Sequence, residues 1–305
     1  MLRYALSRLA SAVPTLLLVL ILAFALVHAA PGGPFDTERV LAPEVQARLQ
    51  AAYGLDQPQW RQFLNYLGGL LRGDFGPSYR YPQSSVGELI ADAFPVSASL
   101  GLLALVFGVA IGVLAGTMAA LRQNRFVDHA VMTVSMTGIS VPSFVIAPLL
   151  VLLFAVTLRW LPASGLQSPQ HYVLPVFALA LPMVAYIARL MRASMLEVLK
   201  SQFIRTARSQ GLTRTTLVFR YAMKPALIPV ISYLGPAIAA VLTGSVVIEQ
   251  IFNLPGIGRL FIQGALNRDY TLVMGLVVLY STLLISLNLL VDLVYGYLDP
   301  RVRYA

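Results

Sequence analysis

Six runs of roughly 20 or more residues, almost free of charge, divide this 305-residue chain and leave its ionised groups to the stretches between them. They cover about residues 9 to 30, 97 to 121, 131 to 158, 171 to 192, 227 to 248 and 271 to 297. Each reaches the ~20 residues that a helix needs to cross bilayer hydrocarbon. Only 11% of the residues are charged and 58% are hydrophobic, whereas about a quarter of a soluble domain is charged. A soluble chain of this length has no use for so much apolar surface. The expected fold class is therefore an all-α integral membrane protein with about six transmembrane helices.

The charges between the runs give an orientation. Residues 1 to 8, 122 to 130, 189 to 226 and 298 to 305 carry 14 basic and 3 acidic groups, while residues 31 to 96, 159 to 170 and 249 to 270 carry 8 and 9. The basic set should face the cytoplasm, which places both termini there. Spread over several loops, this charge marks topology and gives no continuous face for nucleic acid. Arg3 and Arg8 ahead of the first run, with Val27-His28-Ala29 at its end, also fit a cleaved signal peptide. The run from Leu9 to Val27 exceeds the ~7 to 15 residues of a signal core, so a retained anchor is expected.

The longest polar stretch in the C-terminal half, residues 197 to 225, is strongly basic. With Arg189 and Arg192 just upstream it gathers eight basic residues against one acid, Glu197. Gly211 is placed to close a helix in the left-handed conformation, and Thr213 to cap a second helix with Leu217, Val218, Tyr221 and Ala222 on one stripe. Pro225 should end that helix. Two short helices about a glycine turn would make a compact knob; a plain basic loop that only fixes topology is the other reading of the same residues.

The run Arg205-Thr206-Ala207-Arg208, then Gly211, then Tyr221-Ala222-Met223-Lys224, resembles the EAA loop of ABC importer permeases in its peptide-transporter variant. Thr206 stands where Glu is usual and Lys224 where Pro is usual. The resemblance runs along most of the chain: Ala30 to Phe35, Gly73-Asp74-Phe75-Gly76-Pro77-Ser78, Phe94 to Ala98, Asn253 to Gly258, Ala265 to Tyr270 and Asp299 to Arg303 are all similar to the oligopeptide branch. It implies a type I-like permease fold: residues 1–96 as a transmembrane anchor plus external loop, and residues 97–305 as a core of five transmembrane helices with a cytoplasmic coupling loop. It also implies that Arg205, Thr206, Ala207, Arg208 and Gly211 form the helix that fits a groove on an ATPase subunit. On that basis an acidic residue at Gly211 or Ala207 should spoil docking without entering the core.

Between the first two runs lies an external loop, Gly32 to Pro95, with an amphipathic helix expected from Pro43 to Ala52 and an aromatic cluster of Trp60, Phe63 and Tyr66. It is too long to be a mere connection; it either caps the first span or docks a solute receptor. Pro142 and Pro148, Pro175 and Pro182, and Gly235-Pro236 should kink the third, fourth and fifth spans. Ser140, Ser143 and Thr243 near these kinks are the candidate pathway residues. Gly108, Gly112 and Gly116 read as a close-packing stripe. Asp292 and Glu249, the acids nearest the membrane interior, read as structural partners of other groups.

Catalysis has little to work with. The chain has no cysteine, its histidines (His28, His129, His171) have no ligand spacing, and neither Lys200 nor Lys224 follows a glycine as a phosphate loop requires. No catalytic, cofactor-binding or metal residue is expected, so ATP and Mg would act in partner subunits. The implied assembly is this chain, a second homologous permease, two ABC ATPase subunits and an external solute-binding protein that delivers oligopeptides through the inner membrane. Dipeptides, nickel chelates or peptide-like antibiotics are alternative cargoes. A stand-alone channel or secondary carrier, or a membrane-embedded enzyme, are alternatives of a different class.

Overall fold

The computed structural model describes residues 2–30, 32–35 and 43–298. The Asp299 to Arg303 segment and residues 36 to 42 of the external loop lie outside the described residues, as do the side chains of Thr243 and Asp292. Twelve helices follow in order among the described residues: α1 Leu2–Ala29, α2 Pro43–Ala52, α3 Gln59–Leu70, α4 Val86–Leu121, α5 Phe126–Ser140, α6 Ser143–Leu150, α7 Val173–Leu199, α8 Gln202–Ser209, α9 Arg214–Thr216, α10 Met223–Ile251, α11 Ile257–Leu266 and α12 Tyr270–Leu298. Two π-type turns, Val151–Thr157 and Leu217–Ala222, and a short 3-10 turn, Pro169–Tyr172, extend α6, α9 and the start of α7.

Among the described residues, five helical stretches are long and apolar enough to cross a membrane: Ala10–Ala29, Val86–Leu121, Pro169–Leu199, Arg214–Ile251 and Tyr270–Leu290. The sixth expected span is not one straight helix. Phe126–Ser140 and Ser143–Thr157 meet at 107°, with Val141 and Pro142 both extended at the break. Proline at 142 withholds the N–H that would continue α5 and pushes Val141 out of the helical region.

Other boundaries shift for local reasons. The second span begins at Val86, 11 residues before 97, because Ser85 and Glu88 cap it reciprocally: the Ser85 N–H donates to Glu88 Oε2 at 2.8 Å and the Glu88 N–H to Ser85 Oγ at 3.2 Å. Pro225 does not end the second helix of the knob. It falls in the first turn of α10, directly after the widened turn Leu217–Ala222, where its ring is accommodated and the helix continues through Pro229 and Pro236 to Ile251. The α2 helix forms over the expected residues.

The chain forms two compact units. One comprises residues 97–254 with both chain ends, 1–5 and 286–305; the other comprises 6–96 and 255–285. At the centre of the first lies α7, which packs on α5, α6 and α10 and buries eleven of its own residues, among them Ile187, Met191 and Met195. Against it the glycine stripe of α4 does what its spacing predicts. A Cβ at Gly112 would stand 2.8 Å from Ile187 Cβ, and one at Gly116 would stand 2.8 Å from Met191 Cβ. Only hydrogen at these positions lets the two helices approach so closely.

In the second unit, Val86, Ile90, Ile257, Leu272 and Leu276 form one core, and Leu20, Met274 and Val278 another, with Phe63 and Tyr66 of α3 packed on the latter. Trp60 does not join them. It is 60% exposed, with the Arg61 guanidinium 5.2 Å from its ring centroid. Asp269, almost fully buried, organises this unit: Ser78 Oγ donates to its Oδ2 at 2.5 Å, the Arg80 N–H donates to the same oxygen at 3.1 Å, and the Leu272 N–H donates to Oδ1 at 3.2 Å as an N-cap of α12. Thr271 Oγ1 donates to Pro77 O at 2.6 Å. The two segments Gly73 to Ser78 and Ala265 to Tyr270, about 190 residues apart in sequence, thus meet at one carboxylate.

Candidate functional site

Within the first unit, α8 is an amphipathic helix of about two turns. Ile204 and Ala207 are buried against the π turn Leu217–Ala222, while Arg205, Thr206, Arg208 and Ser209 are exposed. The spacing of three between Ile204 and Ala207 is what one face of a helix requires. Gly211 then reverses the chain at φ +79°, with nothing within 4 Å of where a Cβ would be. Thr213 caps the next helix, its hydroxyl accepting from the Thr216 N–H, and Leu217, Val218 and Ala222 turn inward. Tyr221 leaves the expected stripe and is 39% exposed.

Four of the five coupling candidates, Arg205, Thr206, Arg208 and Gly211, therefore share an exposed knob. Ala207 faces inward at 6% exposure. An acidic residue there would bury a charge in the knob's own packing, so it cannot serve as a substitution confined to the outer face.

A partly buried ion pair between α5 and α7 went unread in the sequence. Arg192 belongs to α7, not to the polar loop, and its Nε and Nη2 donate to Asp128 Oδ1 and Oδ2 at 2.5 and 2.7 Å. Asp128 lies in the first turn of α5, is 1% exposed, and also accepts the Asn124 N–H at 2.9 Å. The fork geometry of the guanidinium makes this a bidentate clasp between α5 and α7. Its only sequence signal was an acid in an otherwise basic turn, opposite an arginine 64 positions away.

Of the candidate pathway residues, Ser140 and Ser143 flank the 107° break, the first exposed and the second half-buried; Ser140 Oγ donates to Met136 O at 2.8 Å. A separate cavity of about 380 Å³ lies on α5 and α7, lined by Met132, Tyr186, Arg189 and Arg192; neither serine lines it. Tyr186 stacks on Tyr233 of α10 with ring centroids 4.1 Å apart.

In the second unit, a cavity of about 270 Å³ is walled by Phe24, His28, Tyr53, Tyr66, Tyr79 and Tyr270. Burial pushes the Tyr66 phenol well above its ordinary range. Burial does the same to Tyr79, reinforced by the negative charge of Asp269. Both phenols stay neutral at any physiological pH. Among the described residues, no cluster of three or more His, Cys, Asp or Glu side chains is placed to hold a metal ion.

Residues 108–304 match the family described as "Binding-protein-dependent transport system inner membrane component", and residues 1–101 match its N-terminal membrane component. The oligopeptide transport system permease protein OppB of Haemophilus influenzae is 50% identical over 306 residues, covering 100% of both chains. The dipeptide transport system permease protein DppB of Bacillus subtilis is 45% identical, covering 99% of this chain and 98% of its own. The glutathione transport system permease protein GsiC of Escherichia coli is 38% identical over the full length of both. Among solved structures, the MetNI methionine ABC transporter superposes with a TM-score of 0.56 at 16% identity, over 69% of this chain and 96% of that one. An amino acid ABC transporter gives 0.54 at 19% identity over 69% and 94%. The multi-pass helical fold, the exposed knob and full-length identity at this level place the chain in the family of inner-membrane components of binding-protein-dependent transport systems, the permease subunits of ABC importers.

Proposed function

We propose that this chain is the oligopeptide-translocating permease of its importer, and that the knob from Arg205 to Gly211 couples it to ATP hydrolysis. The observation that carries the coupling role is the knob itself: a helix anchored by Ile204 and Ala207 that presents a polar, cationic face to solvent. Such a face suits a partner with complementary charge. The peptide cargo rests on the names of the relatives OppB and DppB. In this reading residues 1–96 form the anchor and external loop, and 97–305 the translocating core, which works beside a second homologous permease. Two ATPase subunits hold ATP and Mg, and an external solute-binding protein hands over the peptide. Ser140 and Ser143, at the break between α5 and α6, and Thr243 of α10 border the pathway in this reading.

Purified alone, the chain should neither hydrolyse ATP nor move peptide. Reconstituted with the second permease, both ATPases and the binding protein, it should give nucleotide-dependent uptake. Peptide or ion flux through the isolated chain would overturn the reading in favour of a channel or carrier.

We place both termini and the knob in the cytoplasm, supported by the distribution of basic residues. The chain has no cysteine, so single cysteines report without background. Cysteine at Ser84 or Ser168 should react with an impermeant thiol reagent from outside, whereas cysteine at Ser201 or Thr215 should react only once the membrane is opened. Labelling at Thr215 from outside would invert the topology.

A further inference from the structure

The turn that joins α4 to α5, Arg122 to Arg125, is exposed along its whole length yet firmly held. Asn124 reverses the chain at φ +59°, a left-handed conformation that asparagine takes more readily than most side chains. Its N–H donates to Asp128 Oδ2 at 2.9 Å, and Asp128 is in turn clasped by Arg192 of α7. The Arg125 N–H donates to the Arg122 carbonyl at 3.0 Å, which closes the turn. The side chains of Arg122, Gln123 and Arg125 therefore stand on a backbone tied to two helices of the core.

Between this turn and the knob opens a cleft of about 600 Å³. Arg122, Arg125, Lys200, Arg208 and Arg214 line it, and among the described residues no acidic side chain does. Arg214 donates to the Leu121 carbonyl at 3.0 Å, so the second helix of the knob is joined to the end of α4, and turn and knob form one surface. The acids nearest in sequence leave the cleft cationic: Asp128 is engaged by Arg192, and Glu197 stands outside the lining. Five like charges around so small a volume repel one another, and an acidic partner relieves that repulsion.

We propose that the α4–α5 turn is a second docking point for the ATPase subunit, which sets an acidic segment into the cleft between turn and knob; this rests on the coupling role of the knob and extends it beyond Arg205 to Gly211. A partner seated on the knob already reaches the rim of the cleft, because Arg208 belongs to both. The turn is already ordered by Asp128, so docking there costs little further ordering. Two points of contact give the partner hold of two parts of the core. The knob packs on the widened turn Leu217–Ala222, which runs straight into α10. The α4–α5 turn runs into α5 and, through Asp128 and Arg192, is fixed to α7. A change of shape in the partner is then delivered to α5 and α10 together, and α5 is the limb that ends at the 107° break.

The test uses the assembled importer in detergent. A photoactivatable amino acid in place of Gln123 should cross-link to an ATPase subunit, as should one in place of Arg205 in a separate variant. Arg122→Glu/Arg125→Glu, with the knob unaltered, should weaken retention of the ATPase subunits at least about 100-fold, because like charges then face each other across the contact. Arg122→Lys/Arg125→Lys, which keeps the charge, should retain them as the native chain does. Cross-linking from position 205 with silence at 123, or native retention by the glutamate variant, overturns the second docking point while the coupling role of the knob stands. Silence at both positions overturns the coupling role, and the second docking point with it. Cross-linking of position 123 only to lipid or to the other permease assigns the turn to that neighbour, and the docking point fails. Both arginines are native in the cross-linking chain, so this outcome is independent of how the glutamate variant folds.

Discussion

Gly211→Asp should abolish uptake while the protein inserts and accumulates normally, whereas Gly211→Asn should keep most of it. At φ +79° with open space around the Cβ position, the site penalises a side chain only through its backbone conformation. Asp and Asn are the non-glycine residues that take the left-handed region most readily, and they do so about equally. The two variants thus differ in charge alone. A partner groove that accepts the exposed Arg205 and Arg208 has to be acidic, and an aspartate introduced between them and the next helix meets like charge there. Repulsion of this kind costs several kcal/mol, enough to cut coupling at least about 100-fold. Transport assays in the reconstituted importer, paired with membrane abundance by immunoblot, read the outcome. Equal loss for Asp and Asn would mean that the knob acts through its shape, and equal retention would remove it from the coupling surface.

Arg192→Leu should lower the thermal inactivation midpoint of the purified complex by about 5 °C. Removing the arginine strands Asp128, at 1% exposure, with a charge its surroundings cannot solvate. Breaking such a pair costs about 3 kcal/mol or more. The double substitution Asp128→Leu/Arg192→Leu should recover most of the loss, because two apolar side chains in the same place need no partner. A double variant as labile as the single one would show that the clasp holds α5 and α7 through its hydrogen bonds, with no apolar substitute.

Much of this architecture could be read before any coordinates. Apolar length predicts five of the spans, the glycine stripe predicts that α4 packs closely on another helix, and Gly211 with Thr213 predicts the turn of the knob. These succeed because each depends on a few neighbouring residues and one physical rule. The failures involve distant residues or competing local rules. Ser85 and Glu88 carry a legible capping box, yet hydropathy alone starts the second span later. Pro225 ends a helix by its own preference, but the π turn before it removes the clash. The clasp of Arg192 on Asp128 and the meeting of Ser78 with Asp269 required knowing which segments lie side by side. For the candidate site, the five coupling residues are local in sequence, but that Ala207 faces inward while its neighbours face outward depends on the packing of α8 against the turn after it.

The break at Val141 and Pro142 has a consequence for how the protein is made. Fifteen residues of α5 rise only about 22 Å, short of the ~30 Å of hydrocarbon, and the limb beyond the break is no longer. The bent form of the pair is held by α7, synthesised afterwards, whose surface packs on α5 and α6 and whose Arg192 closes on Asp128. The bend can therefore be fixed only once the later helix is in place.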